Sequence, residues 1–262
     1  MSRFLSSRLT SLKAYAPGEQ PQDKAYIKLN TNESPYPPSA LTQKAVEGES
    51  AFLHLYPDPE CRELTKLLAE KNGLLPEQVL CSNGSDDILS YIFQAFGDGE
   101  SGFAFPDISY GFYQVYGDFY GVPCCRIPLR EDFSLCSEDY FALGCGIILA
   151  NPNAQTGLML SMEEIAAIAK KNPEHVLVVD EAYVDFAGES AVCLLSCYEN
   201  IIIVRTFSKS RSLAGGRLGY ALAGQELILD LKQIKYSTNP YSVNRMSQAA
   251  GLAALHDEEY YL

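Results

Sequence analysis

NIIIVRTFSKSRSLAGGR, residues 200–217, passes from an apolar, β-branched run into hydroxyls, a lysine, two glycines and a second cation. Ile201 to Val204 read as a strand, and the residues behind it as a loop. In an open parallel sheet, ligands collect at the carboxyl ends of strands, so a loop in this position is where chemistry is expected. Lys209 can form an imine once burial and local electrostatics remove its charge. Ser208 and Arg217 suit a phosphate, the arginine through a bidentate contact. A solvated basic loop is the competing reading, although such a loop has no need of all these residue types together.

Similar short β-rich runs recur along the chain: QVLCS near 78–82, SGFAFP near 101–106, CCRIPL near 124–129, GIILAN near 146–151, VLVVDE near 176–181 and LGYALAG near 218–224. Helical patterns lie between them. DDILSYIFQAF puts Ile88, Leu89, Ile92, Phe93 and Phe96 on one stripe, and SMEEIAAIAKK starts with Ser161 as N-cap and Glu164 three positions on. This alternation predicts an α/β protein with a mainly parallel sheet covered by helices on both faces. The segment before position 50 (TNESPYPPSA) is rich in Pro, Asn and Ser with little periodicity, and reads as an extended arm.

Three further strand ends carry candidate groups. Asn83-Gly84-Ser85-Asp86-Asp87 is a glycine turn opening directly into a helix whose first N–H groups lack intrahelical partners, which makes either a phosphate cradle or an ordinary capped turn. Asp180-Glu181-Ala182-Tyr183 ends an apolar strand in a carboxylate with a phenol three residues later. That suits a protonated pyridine nitrogen and a ring oxygen, or else a helix N-cap. Asn151-Pro152-Asn153-Ala154-Gln155-Thr156-Gly157 brings amide donors to the same edge, or is a plain turn.

Composition narrows the function classes. The 262 residues carry a net charge of −13, which argues against non-specific attraction to nucleic acid or anionic lipid. No apolar run reaches the length of a membrane span, and the N-terminus lacks the continuous apolar stretch of a secretion signal, so a cytoplasmic protein is expected. The eight cysteines are expected to be reduced thiols. Cys193 and Cys197 have no histidine nearby to complete a zinc site, so no metal is expected. A nicotinamide dehydrogenase is disfavoured because no G-x-G-x-x-G follows a strand; Gly144-Cys145-Gly146 precedes one.

Taken together and in this order, the motifs resemble those of the fold-type-I pyridoxal-phosphate (PLP) aminotransferases, over nearly the whole chain from Leu29 to about Leu255. Within that superfamily the chain is most similar to the histidinol-phosphate aminotransferases. The closer match rests on Ala14-Tyr15-Ala16-Pro17-Gly18, Leu29-Asn30-Thr31-Asn32-Glu33, Leu55-Tyr56-Pro57-Asp58 and Asn239-Pro240-Tyr241-Ser242-Val243-Asn244. The resemblance implies that Lys209 forms the imine link to PLP, Asp180 pairs with the pyridine nitrogen and Tyr183 bonds the ring oxygen. Backbone groups of Gly84, Ser85 and Asp86, with Ser208 and Arg217, would hold the cofactor phosphate. Tyr110, in Pro106-Asp107-Ile108-Ser109-Tyr110-Gly111, would stack on the ring. Thr206 falls in the cofactor-binding set, Tyr56 would reach the phosphate in the partner subunit of a homodimer, and Tyr15 and Asn32 would meet substrate.

The chain departs from the family pattern at two places. The asparagine that in the family precedes Pro-Thr-Gly and bonds the cofactor's ring oxygen is replaced in Ala154-Gln155-Thr156-Gly157, and the adjacent Asn153 is the expected cofactor-binding substitute. The expected organisation is an N-terminal arm at 1–40, a large PLP-binding domain at 41–245, and at 246–262 the start of a small domain whose remainder, with its carboxylate-binding arginine, is missing. The implied reaction is amino transfer from L-histidinol phosphate to 2-oxoglutarate. Alternatives are decarboxylation of an amino-acid phosphate, transamination of an aromatic amino acid, and a truncated cofactor-binding protein without turnover.

Overall fold

The computed structural model describes residues 2–10, 12–19, 23 and 27–261. Seven strands form one sheet: β1 (Val79–Ser82), β2 (Phe103–Pro106), β3 (Cys124–Ile127), β4 (Gly146–Ala150), β5 (Leu177–Asp180), β6 (Ile201–Thr206) and β7 (Gly219–Ala223). Their order across the sheet is β1-β7-β6-β5-β4-β2-β3. The pairs β2–β3, β2–β4, β4–β5 and β5–β6 are parallel, while β7 runs antiparallel to both β6 and β1. Each lies within two residues of the run that predicts it. Ile201 to Val204 are wholly buried, as expected for a central strand covered on both faces.

Among the described residues the α-helices are α1 (Ala40–Ser50), α2 (Arg62–Asn72), α3 (Ser85–Phe96), α4 (Phe112–Tyr120), α5 (Met162–Lys171), α6 (Gln225–Thr238), α7 (Arg245–His256) and the single turn α8 (Glu258–Tyr261), with short 3-10 turns between some of the elements. Two apolar layers sandwich the sheet. Ile88, Leu89, Ile92 and Phe93 of α3, with Tyr113 of α4 and Ile228 and Leu231 of α6, cover the face carrying Ile148, Val178 and Ile202. Leu64 and Leu68 of α2, Ile165 and Ile168 of α5, and Ala250 and Ala254 of α7 cover the face carrying Leu149, Val179 and Ile203. The predicted start of α5 has the full capping box. Ser161 Oγ accepts from the Glu164 N–H at 3.3 Å, and the Glu164 carboxylate accepts from the Ser161 N–H at 2.9 Å.

One expectation needs correction. The segment before position 50 does not stay irregular: Ser7–Leu9 form a 3-10 turn and residues 40–50 form helix α1. Pro37 and Pro38 stop any helix before Ser39, which then caps α1 by accepting the Thr42 N–H at 3.2 Å. Among the described residues no helix is long and apolar enough to cross a membrane.

Candidate active site

Strand direction gathers the candidate residues. Every strand except β7 ends at the same edge of the sheet, and β7 begins there, so Arg217 and Gly219 meet the loops that follow β1, β2, β4, β5 and β6. Lys209, Tyr183, Asn153, Tyr110 and the Gly84 turn belong to those loops, and Asp180 is the last residue of β5.

At the start of α3, Gly84 is the N-cap, with φ 81° and ψ 166° and no side chain to cap the helix. The first-turn N–H groups therefore have no cap acceptor, and the helix dipole points its positive end at them. The Arg217 guanidinium lies directly over this turn: a Cβ at Gly84 would sit 2.5 Å from Arg217 Nη2. A Cβ at Gly219 would sit 2.4 Å from the Ser85 nitrogen, so β7 also enters against the turn with no side chain between. Arg217 Nη2 bonds Asp86 Oδ2 at 3.0 Å, and the Tyr110 hydroxyl donates to Asp86 Oδ1 at 3.0 Å. Buried Ser208 donates its N–H to Thr206 Oγ1 at 3.1 Å, and the two hydroxyls lie 2.9 Å apart. Two cationic or dipolar sources and several hydroxyls thus converge on one spot, an arrangement that holds an anion.

The adjacent carboxylates Asp180 and Glu181 point to opposite faces, as consecutive residues leaving a strand must. Glu181 is buried against Arg205, with a 2.8 Å ion pair, and accepts the Ala191 N–H at 2.7 Å. Asp180 turns to the other face, where Oδ2 accepts from the Tyr113 hydroxyl at 2.7 Å and Oδ1 from the Ala182 N–H at 3.2 Å. Among the described residues neither Asp180 oxygen has a cationic hydrogen-bond partner. Burial pushes its carboxyl up to about 6, against the lowering effect of the Tyr113 and Ala182 bonds. A carboxylate so placed gains from any cation delivered to it.

Lys209 Nζ donates to the Thr31 carbonyl at 3.0 Å and lies 5.6 Å from the Tyr183 ring centroid. The Tyr183 hydroxyl accepts from Asn32 Nδ2 at 2.9 Å. The LNTNE segment therefore lies across the lysine, anchored also by a 2.9 Å contact between Ser34 and Ser212. A cleft of about 550 Å³, lined among others by Asn32, Glu33, Tyr36, Tyr183, Lys209 and Tyr261, opens at this point.

Three predicted residues have other or more distant contacts. Asn153 is buried, with Nδ2 donating to the Ile108 carbonyl at 2.9 Å and Oδ1 accepting the Gln155 N–H at 3.2 Å, which ties two edge loops together. Tyr15 packs its ring 4.7 Å from Phe112, beside the turn that carries Tyr110. Tyr56 lies on the loop between α1 and α2, is 79% exposed, and stacks on Tyr241 at 4.7 Å.

The motifs do not reveal Tyr113 or the Thr31 carbonyl. Tyr113 had a signal, since Tyr110, Tyr113, Tyr116 and Tyr120 recur at helical spacing and face α3 and the site. A backbone carbonyl has no sequence signature.

The family model for aminotransferase class I and II matches residues 24–262. A histidinol-phosphate aminotransferase of Brachyspira hyodysenteriae is 47% identical over 100% of this chain and 74% of its own length. One of Marinomonas sp. is 48% identical over 99% of this chain and 74% of its own. Among solved structures, the histidinol-phosphate aminotransferase of Sinorhizobium meliloti in complex with pyridoxal-5'-phosphate superposes with a TM-score of 0.81. It is 26% identical, covering 88% of this chain and 64% of that one. The chain thus spans about three quarters of the length of these curated relatives.

Proposed function

The chain belongs to the class I and II aminotransferase family, and from that membership we propose that it transfers the amino group of L-histidinol phosphate to 2-oxoglutarate, giving imidazole-acetol phosphate and L-glutamate. The cofactor is pyridoxal 5'-phosphate. The observation that carries the reading is the set of groups at one sheet edge: an anion cradle of Gly84, Ser85 and Arg217, a buried carboxylate at Asp180 with no cationic hydrogen-bond partner among the described residues, and an amine at Lys209. A phosphate, a protonated pyridine and an aldehyde are the complements of these three groups, so the residues present fit PLP.

When bound, the cofactor supplies an aldehyde that takes up amino groups and a ring that draws electrons from a breaking C–H bond. The cradle N–H groups of Gly84, Ser85 and Asp86, with Ser208, Thr206 and Arg217, hold the phosphate. Asp180 keeps the ring nitrogen protonated, and Tyr183 bonds the ring oxygen. Tyr110 would stack on the ring, and Asn153 braces the Ile108–Tyr110 turn that carries it. Lys209 Nζ is the point of attachment. As a free amine, Lys209 Nζ would also be the base that carries the substrate-carbon proton. Asn32 and Tyr15 contact the substrate at the mouth of the cleft.

The site belongs to a large domain at 41–245 behind an N-terminal arm at 1–40, and 246–262, whose helix α7 packs on the large domain through Ala250 and Ala254, would lead into a second, small domain. The chain works as a cytoplasmic homodimer in which the exposed Tyr56 of each subunit reaches its neighbour's cofactor phosphate.

The test is incubation of the PLP-loaded protein with L-histidinol phosphate and 2-oxoglutarate, measuring glutamate and carbon dioxide, with an aromatic amino acid and an amino-acid phosphate as competing substrates. Glutamate formation fastest with L-histidinol phosphate is expected. Carbon dioxide release, or faster turnover of the aromatic amino acid, would overturn the assignment.

A further inference from the structure

Asp180 lies in an environment hostile to its charge. It is 6% exposed, the Asp86 and Glu181 carboxylates both oppose its ionisation, and its hydrogen-bond partners among the described residues are neutral. Of its two bonds, that from Ala182 is long at 3.2 Å, whereas that from Tyr113 is 2.7 Å. Tyr113 is itself fully buried, and its ring is held edge-on against Phe105 at 5.5 Å and Tyr110 at 5.6 Å. These contacts hold the ring in place, and the Ser109 hydroxyl lies beside the same phenol oxygen. Burial and the neighbouring Asp180 charge push its own ionisation well above the ordinary tyrosine range, so it remains a neutral donor throughout the working pH range.

We propose that Tyr113 is a positioning residue for the transamination reaction, acting through Asp180: its hydroxyl holds the Asp180 carboxylate ionised and oriented so that it can pair with the protonated pyridine nitrogen of the cofactor. The inference rests on the role given to Asp180 above. A hydrogen bond to the charged form of a carboxylate favours that form, and bonds of this kind are the strong ones. The groups that act on Asp180 are Tyr113 of α4, the Ala182 N–H, Asp86 of α3, the Glu181 charge on the opposite face and, through Tyr113, Tyr110 and Ser109 of the preceding turn. Of the side chains among these, Tyr113 is the one that stabilises the anion. Removing its hydroxyl leaves burial and two carboxylates unopposed except by the long Ala182 bond. Asp180 then carries a proton near neutral pH, and the pairing with the cofactor nitrogen fails.

Tyr113→Phe removes one oxygen while keeping the ring contacts. In the cofactor-free chain labelled with 13C-carboxyl aspartate, the resonance absent from Asp180→Asn reports the Asp180 titration. Its midpoint is expected to rise by about one pH unit in Tyr113→Phe, and the dissociation constant for PLP by about tenfold at pH 7. The affinity deficit is expected to shrink as the pH is raised to 9, where the carboxylate ionises without help. A purely structural role for the tyrosine would not produce that recovery. An unchanged Asp180 midpoint in Tyr113→Phe would overturn the inference, as would an affinity loss that does not vary with pH. If Asp180→Asn itself binds PLP like the parent chain, the assignment of Asp180 to the cofactor nitrogen is what fails, and the titration still decides the Tyr113–Asp180 linkage.

Discussion

Gly84→Ala tests the anion cradle at its narrowest point. Gly84 has φ 81° and ψ 166°, a combination reserved for glycine, and forcing an L side chain into it costs about 1–3 kcal/mol. The new methyl would also meet Arg217 Nη2 at 2.5 Å, too close to tolerate, and the guanidinium is the part able to move. Two separable effects follow. Strain lowers the melting temperature by roughly 2–4 °C per kcal/mol for a domain of this size. Displacement of Arg217 would remove the charge-assisted hydrogen bonds proposed between it and the cofactor phosphate, worth about 1.5–3 kcal/mol, and PLP is expected to bind about 10- to 100-fold more weakly. Gly121→Ala is the control, because Gly121 has φ 73° with nothing within 4 Å of its Cβ position, so it suffers backbone strain alone. Spectroscopic titration with PLP and thermal unfolding of both variants give the two numbers. If Gly84→Ala binds PLP as tightly as Gly121→Ala does, the placement of the phosphate at this turn is wrong.

Glu181→Ala should cost about 3–5 kcal/mol in urea unfolding, because it strands the buried Arg205 charge, whereas Lys28→Ala at the partly exposed Lys28–Glu33 pair should change stability by less than about 1 kcal/mol. The Asp180 carboxyl, raised from 3.8 to about 6, binds its proton more tightly in the folded than in the unfolded cofactor-free chain. Its stabilisation is therefore fully present below about pH 4 and lost as the pH rises through about 6, amounting to roughly 3 kcal/mol. The difference in unfolding free energy between pH 4 and pH 8 should accordingly shrink by about that amount in Asp180→Asn; an identical difference would refute it. Ser161→Ala should lower stability by about 1 kcal/mol through loss of the α5 cap, measured by urea unfolding.

The sheet and its covering helices were legible because their signals are local. The runs at 201–204 and 177–180 are apolar and β-branched, and the stripe from Ile88 to Phe96 is strongly periodic. Helix α1 was hidden because its pattern is weakly amphipathic, with Gly48 inside it and a Pro- and Ser-rich run before it. The direction of β7 was not legible either, since GYALA reads alike parallel or antiparallel. That direction is what brings Arg217 to the edge shared by the other strand ends. Strand ends located the candidate residues in the sequence, but contacts made through the fold did not show there. The Tyr113–Asp180 bond joins residues 67 positions apart, and the Thr31 carbonyl reaches Lys209 across 178.

The central claim is that Lys209 carries the cofactor of an aminotransferase. Borohydride reduction of the PLP-loaded protein makes the lysine linkage permanent, and peptide mapping by mass spectrometry then locates it. The account predicts one pyridoxyl-phosphate group, on Lys209, and none after prior incubation with L-histidinol phosphate in the absence of an oxo acid. A modified residue other than Lys209, or a Lys209 adduct untouched by that amine, would contradict it.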